Sequence, residues 1–177
     1  MNQHEEVRTR LLEQRTVLIT TPLDTVSGTG ATAALMLLDA DGDDPIHLRL
    51  LGRDGDLDAA LALADTLDAV AAVVLVQAMG TVGGALLAPF AAGTRRVASR
   101  HATFILTDPH PIPSVGGDPA LEAVNHQRQL GVLHQRLAAA CGVPLDDIVD
   151  DMRRGRVLNA PEAETYGLVD AVVPARP

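Results

Sequence analysis

A short apolar run, a glycine- or proline-bearing turn and a helix-spaced stretch of alanine and leucine follow one another repeatedly in this chain. That alternation restricts the fold more than any other feature. Thr16-Val17-Leu18-Ile19 is rich in β-branched residues and reads as a strand. Past the turn at Pro22, Ala33, Ala34, Leu37 and Leu38 fall at helical spacing, which predicts a helix over 30–39 ended by Asp41-Gly42-Asp43-Asp44-Pro45. Ile46 to Leu50 alternates apolar and polar as a half-covered strand does. Gly52-Arg53-Asp54-Gly55 then turns the chain into a helix expected from Asp56 to Leu67. Val73-Val74-Leu75-Val76 is continuously apolar, as in a strand covered on both faces, and Gly80-Thr81-Val82-Gly83-Gly84 predicts a turn into a helix over 85–92. Repeated β-α units with right-handed crossovers imply an α/β fold, a mainly parallel sheet with helices on its faces.

The rest of the chain is more varied. Val97-Ala98 and Thr103 to Leu106 read as short strands, and the prolines of Asp108-Pro109-His110-Pro111-Ile112-Pro113 exclude regular structure there. A long helix is expected over 119–140, with Leu121, Val124, Leu130, Leu133 and Leu137 as its apolar stripe. Pro144 opens a helix through Met152, Ala160 to Ala163 starts a short one, and Leu168 to Val173 closes as a strand. The first residues, 1–14, are expected to form a short frayed helix. With 177 residues, 47% of them hydrophobic, the chain is expected to form one domain over 15–177 behind that segment.

Composition excludes several classes of function. Fourteen basic against 23 acidic residues leave a net charge of −9, which repels phosphate backbones and anionic lipid, so neither nucleic acid nor membrane is expected as a partner. Aromatics are 2%, limited to Phe90, Phe104 and Tyr166, and provide no stacking platform for bases. Every basic residue is Arg, which forbids Schiff-base chemistry. Apolar stretches reach only about ten residues, short of the roughly 20 that span a bilayer. The first residues lack a basic segment followed by an apolar one, so a cytoplasmic location is expected. Neither glycine turn has dinucleotide or P-loop spacing, and no cofactor is expected. His126 and His134, eight apart on the long helix, suit an interface or an exposed position rather than a metal site. Lone Cys141 reads as a buried small hydrophobe.

Strand ends that meet glycine turns are where α/β folds converge backbone N–H groups on developing negative charge. The turn at Gly80–Gly84 is similar to the small-x-Ser-x-Gly elbow of acyl-transfer enzymes, with Thr81 in the nucleophile's place. The block Arg156-Val157-Leu158-Asn159-Ala160-Pro161-Glu162-Ala163-Glu164-Thr165-Tyr166-Gly167-Leu168-Val169-Asp170 resembles the R-F-L-S-A-x-E-A-x-x-Y-G-L-V-D of Clp protease proteolytic subunits. Ile46 to Leu67, with Asp65-Thr66, is similar to that family's strand, S-P-G-G turn and helix. Val73 to Leu87 resembles its nucleophile segment, and Arg96 to Pro109 the strand ending in its catalytic His-Gln-Pro. The likeness runs from Arg10 to Val173. It implies a ClpP-like, crotonase-related fold with a protruding handle helix near Pro119–Ala140, assembled into heptameric rings stacked face to face.

Carried over position by position, the resemblance puts the nucleophile at Thr81, the general base at Thr107 and the orienting aspartate at Gly155, so none of the three side chains is kept. It puts the oxyanion-hole amides at Gly55 and Val82. Asp54 replaces a neighbouring glycine, and its carboxylate would repel an oxyanion. An alcohol without an adjacent base is a weak nucleophile. His110, His101 and Asp108 are the groups near enough in sequence to weigh as replacements; His110 reads as a solvated loop residue and His101 lies six residues before Thr107. Of the serines, Ser27, Ser99 and Ser114, none sits at an elbow. His47, Arg49 and Ala69 stand where the family has aromatic docking pockets, and only nine residues precede Arg10 where the family's axial loops arise, which argues against docking of a Clp ATPase on this subunit's own surface. The expectation is a noncatalytic subunit, structural or regulatory, in a ring of its own copies or with active paralogues. The alternatives are a hydrolase using Thr81 with a displaced base and a crotonase-like acyl-CoA enzyme with Asp54 as its acid.

Overall fold

A computed structural model describes residues 3–20, 22–113 and 116–174. In chain order it contains α1 (Gln3–Glu13), β1 (Thr16–Thr20), α2 (Thr25–Ala40), β2 (Ile46–Gly52), α3 (Leu57–Ala69), β3 (Val74–Gly83), a 3-10 turn (Gly84–Leu86) running into α4 (Leu87–Ala91), β4 (Arg95–Ser99), β5 (Thr103–Leu106), α5 (Pro119–Cys141), α6 (Leu145–Arg154), β6 (Arg156–Asn159), α7 (Ala160–Thr165) and β7 (Ala171–Val173). This is the expected α/β architecture. Strands β1-β2-β3-β4-β7 lie parallel in that order.

The ten-residue β3 changes neighbour along its length. Leu75–Ala78 pairs with β4, and Thr81–Gly83 pairs with β5, which in turn holds β6 antiparallel. The sheet therefore divides into two branches that share β3.

The core lies on one side of the sheet. Ile46, Leu48 and Leu50 of β2 and Val74, Val76 and Ala78 of β3 are fully buried against Ala60, Leu63 and Ala64 of α3. Phe104 of β5 meets Phe90 of α4 at 5.0 Å between ring centroids, and Leu133 and Leu137 of α5 are fully buried. The other side is open: Leu18, His47, Arg49 and Leu51 are exposed. Helices on both faces, and a β3 covered twice, are thus corrected. Leu75 and Gln77 are only half-buried and Val73 is exposed, because α3 and α4 cover a single face.

Other departures are local. Helix α2 begins five residues before the expected start, because Asp24 accepts the Ser27 amide at 2.7 Å and donates its own amide to Ser27 Oγ, a capping box that apolar periodicity does not mark. Leu121 and Val124 of the expected stripe are exposed, since the first half of α5 stands clear of the core, whereas Leu130, Leu133 and Leu137 are buried. The final strand is only Ala171–Val173; Leu168 and Val169 are buried in the turn before it. Strand β6 was not foreseen.

Asp170 ties the end of the fold to its middle. It accepts the Arg96 amide at 2.7 Å and pairs with the Arg96 guanidinium, whose Nη1 donates to the Ala140 carbonyl at 2.8 Å; the Asp170 amide donates back to Arg96 O at 2.8 Å. Burial pushes this carboxyl up, but the Arg96 hydrogen bonds and charge outweigh it and hold the group below the ordinary carboxylate range. A carboxyl with a depressed folded-state pKa stabilises the fold above about pH 4, and that contribution is lost as pH falls through the folded value. Asp170→Asn is expected to cost about 1–2 kcal/mol at pH 7, the lower end reflecting its partial exposure, or several degrees of melting temperature. In a series of thermal melts the difference from wild type should shrink below pH 4.

Candidate functional site

The two glycine turns meet. Gly52 of β2 is level with Val82 of β3, although two residues earlier Leu50 is level with Ala78. Two steps along β2 therefore match four along β3, and the surplus is absorbed in a bulge over residues 79–81, where Gly80 has φ +60°. Gly55 bridges to Leu23 at φ +158°, and a Cβ there would lie 2.9 Å from the Leu23 carbonyl oxygen. Gly84, at φ +55°, would place a Cβ 2.7 Å from the Arg53 carbonyl. Only glycine permits backbone to lie on backbone at these two points.

The elbow is displaced from where the sequence puts it. Strand β3 continues through Thr81 and Val82 to Gly83 because β5 offers a second pairing partner there, so the helical turn starts at Gly84. Thr81 is half-buried and level with Thr103 of β5, four residues before Thr107. Leu106, the residue before Thr107, is paired with Arg156, the residue after Gly155. Gly155 caps α6 in the left-handed conformation at φ +70°. Among the described residues the Thr81 hydroxyl takes part in no hydrogen bond.

The two amides considered for an oxyanion hole have other positions to fill. Asp54 Oδ1 accepts the Gly55 N–H at 2.9 Å. Val82 has Gly52 of β2 on one side and Phe104 of β5 on the other, which directs its N–H along the sheet rather than out of it.

Neither His101 nor His110, the histidines weighed as substitutes, hydrogen-bonds to Thr81 among the described residues. His101 and His110 are exposed. His134 is not at a surface: it is buried on α5 with Nε2 2.7 Å from Asp108 Oδ1. His126 Nε2 lies 3.1 Å from the Pro109 carbonyl. The two α5 imidazoles thus pin the start of the proline segment, whose alternating prolines leave few amides for backbone pairing. Alternation along β5 puts Thr103 and Ile105 on one face and the buried Phe104 and Leu106 on the other. Ser27 is engaged in the α2 cap and Ser99 with Gln77 Nε2 at 3.0 Å; Ser114 lies outside the described residues. Cys141 is half-buried, and burial pushes its thiol up to about 11, with the Arg96 charge pulling the other way, so no thiolate forms near neutrality. No group of three or more His, Cys, Asp or Glu among the described residues could hold a metal ion, and none of their helices is long and apolar enough to cross a membrane.

The Clp protease family model matches residues 1–176. The chain belongs to the Clp protease family. It is 34% identical to an ATP-dependent Clp protease proteolytic subunit-like protein of Streptomyces coelicolor, over 94% of this chain and 82% of that one. Against ATP-dependent Clp protease proteolytic subunit 3 of Rhodococcus jostii it is 33% identical over 98% and 88%, and against subunit 2 of S. coelicolor 28% over 94% and 79%.

The block that carries the resemblance to the Clp protease family is an architectural joint. Asp151 Oδ2 accepts from the Tyr166 hydroxyl at 2.9 Å and from Arg156 Nη1 at 2.8 Å, while the Arg156 guanidinium lies 4.9 Å from the Tyr166 ring centroid. Burial, then the Asp151 hydrogen bond and charge, raise the Tyr166 hydroxyl well above its ordinary value and keep it a donor. Sequence reading quoted Arg156 and Tyr166 but missed Asp151; its signal is an acid at the end of α6 beside the block. Gly55→Ala is expected to cost on the order of 2 kcal/mol, because a Cβ meets Leu23 at a backbone angle closed to alanine. A denaturant melt with unchanged slope and a lower midpoint would record it.

Proposed function

We propose that this chain is a noncatalytic subunit of a Clp-type protease ring, structural or regulatory, assembled from its own copies or with active paralogues. The observation that carries the reading is the Asp54 carboxylate on the Gly55 amide. Acyl transfer needs donors waiting for an oxyanion, and here an anion of the protein's own already takes the bond. A substrate carbonyl would have to displace a charge-assisted contact and then develop its negative charge beside that same carboxylate.

Two further features support it. A nucleophile at Thr81 requires a proton acceptor, and the family's base position holds Thr107, a hydroxyl that cannot act as one near neutrality. The orienting carboxylate's position is the glycine cap of α6, a left-handed site that serves the backbone. Ring assembly is inferred from membership of the Clp protease family and from the breadth of exposed apolar surface on the protomer.

Native mass spectrometry at micromolar concentration is expected to give a ring-sized particle, alone or on addition of an active paralogue; a strict monomer in both conditions would reject the reading. A fluorophosphonate or β-lactone probe is expected to leave Thr81 unmodified in the intact assembly, with no cleavage of short fluorogenic peptides. Labelling that Thr81→Ala abolishes would establish a hydrolase instead.

A further inference from the structure

Strand β1 lies at an edge of the sheet, and that edge is bare. Its strand partner is β2, with Thr16 level with His47, Leu18 with Arg49 and Thr20 with Leu51. The His47 amide donates to the Arg15 carbonyl at 2.8 Å, and in a parallel ladder that phase turns Val17 and Ile19 toward β2. The backbone N–H and C=O groups of Thr16, Leu18 and Thr20 therefore point outward. Those of Leu18 and Thr20 meet no hydrogen-bond partner among the described residues. Proteins usually guard such an edge with a charge, a proline or a bulge. Thr-Val-Leu-Ile-Thr carries neither charge nor proline, and its register with β2 is unbroken.

The edge runs along a groove of about 330 Å³ between α1 and α2. Val7, Leu11 and Leu12 line it from α1, and from α2 the small side chains of Ala31 and Ala34 leave the space open. Arg8 is the one charged side chain lining the groove among the described residues. Its guanidinium is laid against α2 at Gly30, where a Cβ would lie 2.9 Å from Nη2. It has no carboxylate partner among the described residues.

We infer that this groove receives an extended peptide of a partner protein, added as a strand along β1, with apolar side chains between α1 and α2 and an acidic side chain on Arg8. Each part of the groove calls for one part of that ligand. A row of unpaired amides and carbonyls matches the backbone of a strand, the apolar walls match alternate side chains, and a lone guanidinium matches a carboxylate. A hydrocarbon ligand would leave the backbone row unsatisfied. The inference is independent of the noncatalytic ring reading, since β1 lies outside both glycine turns.

The test uses fluorescence anisotropy on the intact chain, with a fluorescein-labelled heptapeptide of alternating valine and threonine ended by two aspartates, and a counterpart ended by two lysines. The aspartate peptide is expected to bind saturably, more tightly than the lysine peptide and less tightly as salt rises. Arg8→Gln is expected to erase that preference. Leu18→Pro removes an amide that gives no bond to β2, on an edge where proline is tolerated, so the variant is expected to keep its circular dichroism melt and to bind about tenfold more weakly. Leu18→Ala, which keeps the amide, is expected to retain binding. Where Leu18→Pro does not fold, the peptide itself makes the distinction: N-methyl groups on one alternate set of its amides are expected to abolish binding, and on the other set to leave it. No saturable binding of the aspartate peptide, equal binding of the two peptides, or indifference to both N-methylations overturns the inference. Competition by decanoate together with that indifference makes the groove a site for an acyl chain instead. A lowered assembly mass of Leu18→Pro in native mass spectrometry, with no peptide bound by wild type, gives the edge to a second copy and overturns it as well.

Discussion

Strand β3 is the constraint on which the molecule turns. It is long enough to outlast β4, and where β4 leaves, β5 takes its place. Everything around the two glycine turns follows from that exchange. The bulge at residues 79–81 accommodates the mismatch with β2, Gly84 starts the helical turn against the Arg53 carbonyl, and β5 holds β6 antiparallel. A chain that turned at Gly80 would leave β5 and β6 with no sheet to join.

The same geometry explains what could be read beforehand. Strands β1 and β2, helices α3, α5 and α6, and the family resemblance were legible because buried apolar residues recur at fixed spacings and because Arg156 to Asp170 is dense in specific residue types. The start of α2 was not, since Asp24 and Ser27 act through hydrogen bonds that leave no apolar period. The length of β3 was hidden because Gly80, Gly83 and Gly84 look alike in sequence, and only the positive φ at Gly80 and Gly84 separates a bulge from an elbow. Coverage of the sheet was overread because a run such as Val73 to Val76 is equally apolar whether its second face meets a helix or waits for another chain.

At the site, residue identity could be read and residue relation could not. Thr81, Thr107, Gly155 and Gly55 were singled out by position. That Asp54 bends back onto the next amide, and that His134 is buried on Asp108, depends on side-chain directions that no spacing rule contains. Asp108 was weighed as a stand-in base and instead anchors the proline segment to α5. The two imidazoles of that helix illustrate how a residue type associated with catalysis can serve as a fastener when its ring nitrogen meets a loop rather than open solvent.

The Asp54–Gly55 contact bears on what kind of place this turn is. A catalytic cradle is kept rigid and empty at a cost to stability, because its dipoles must wait for a charge that exists only during reaction. Here a permanent charge of the chain, the Asp54 carboxylate, already accepts the Gly55 N–H in the resting state. On the noncatalytic reading proposed above, this contact between adjacent residues of a single turn relieves the chain of holding the amide open.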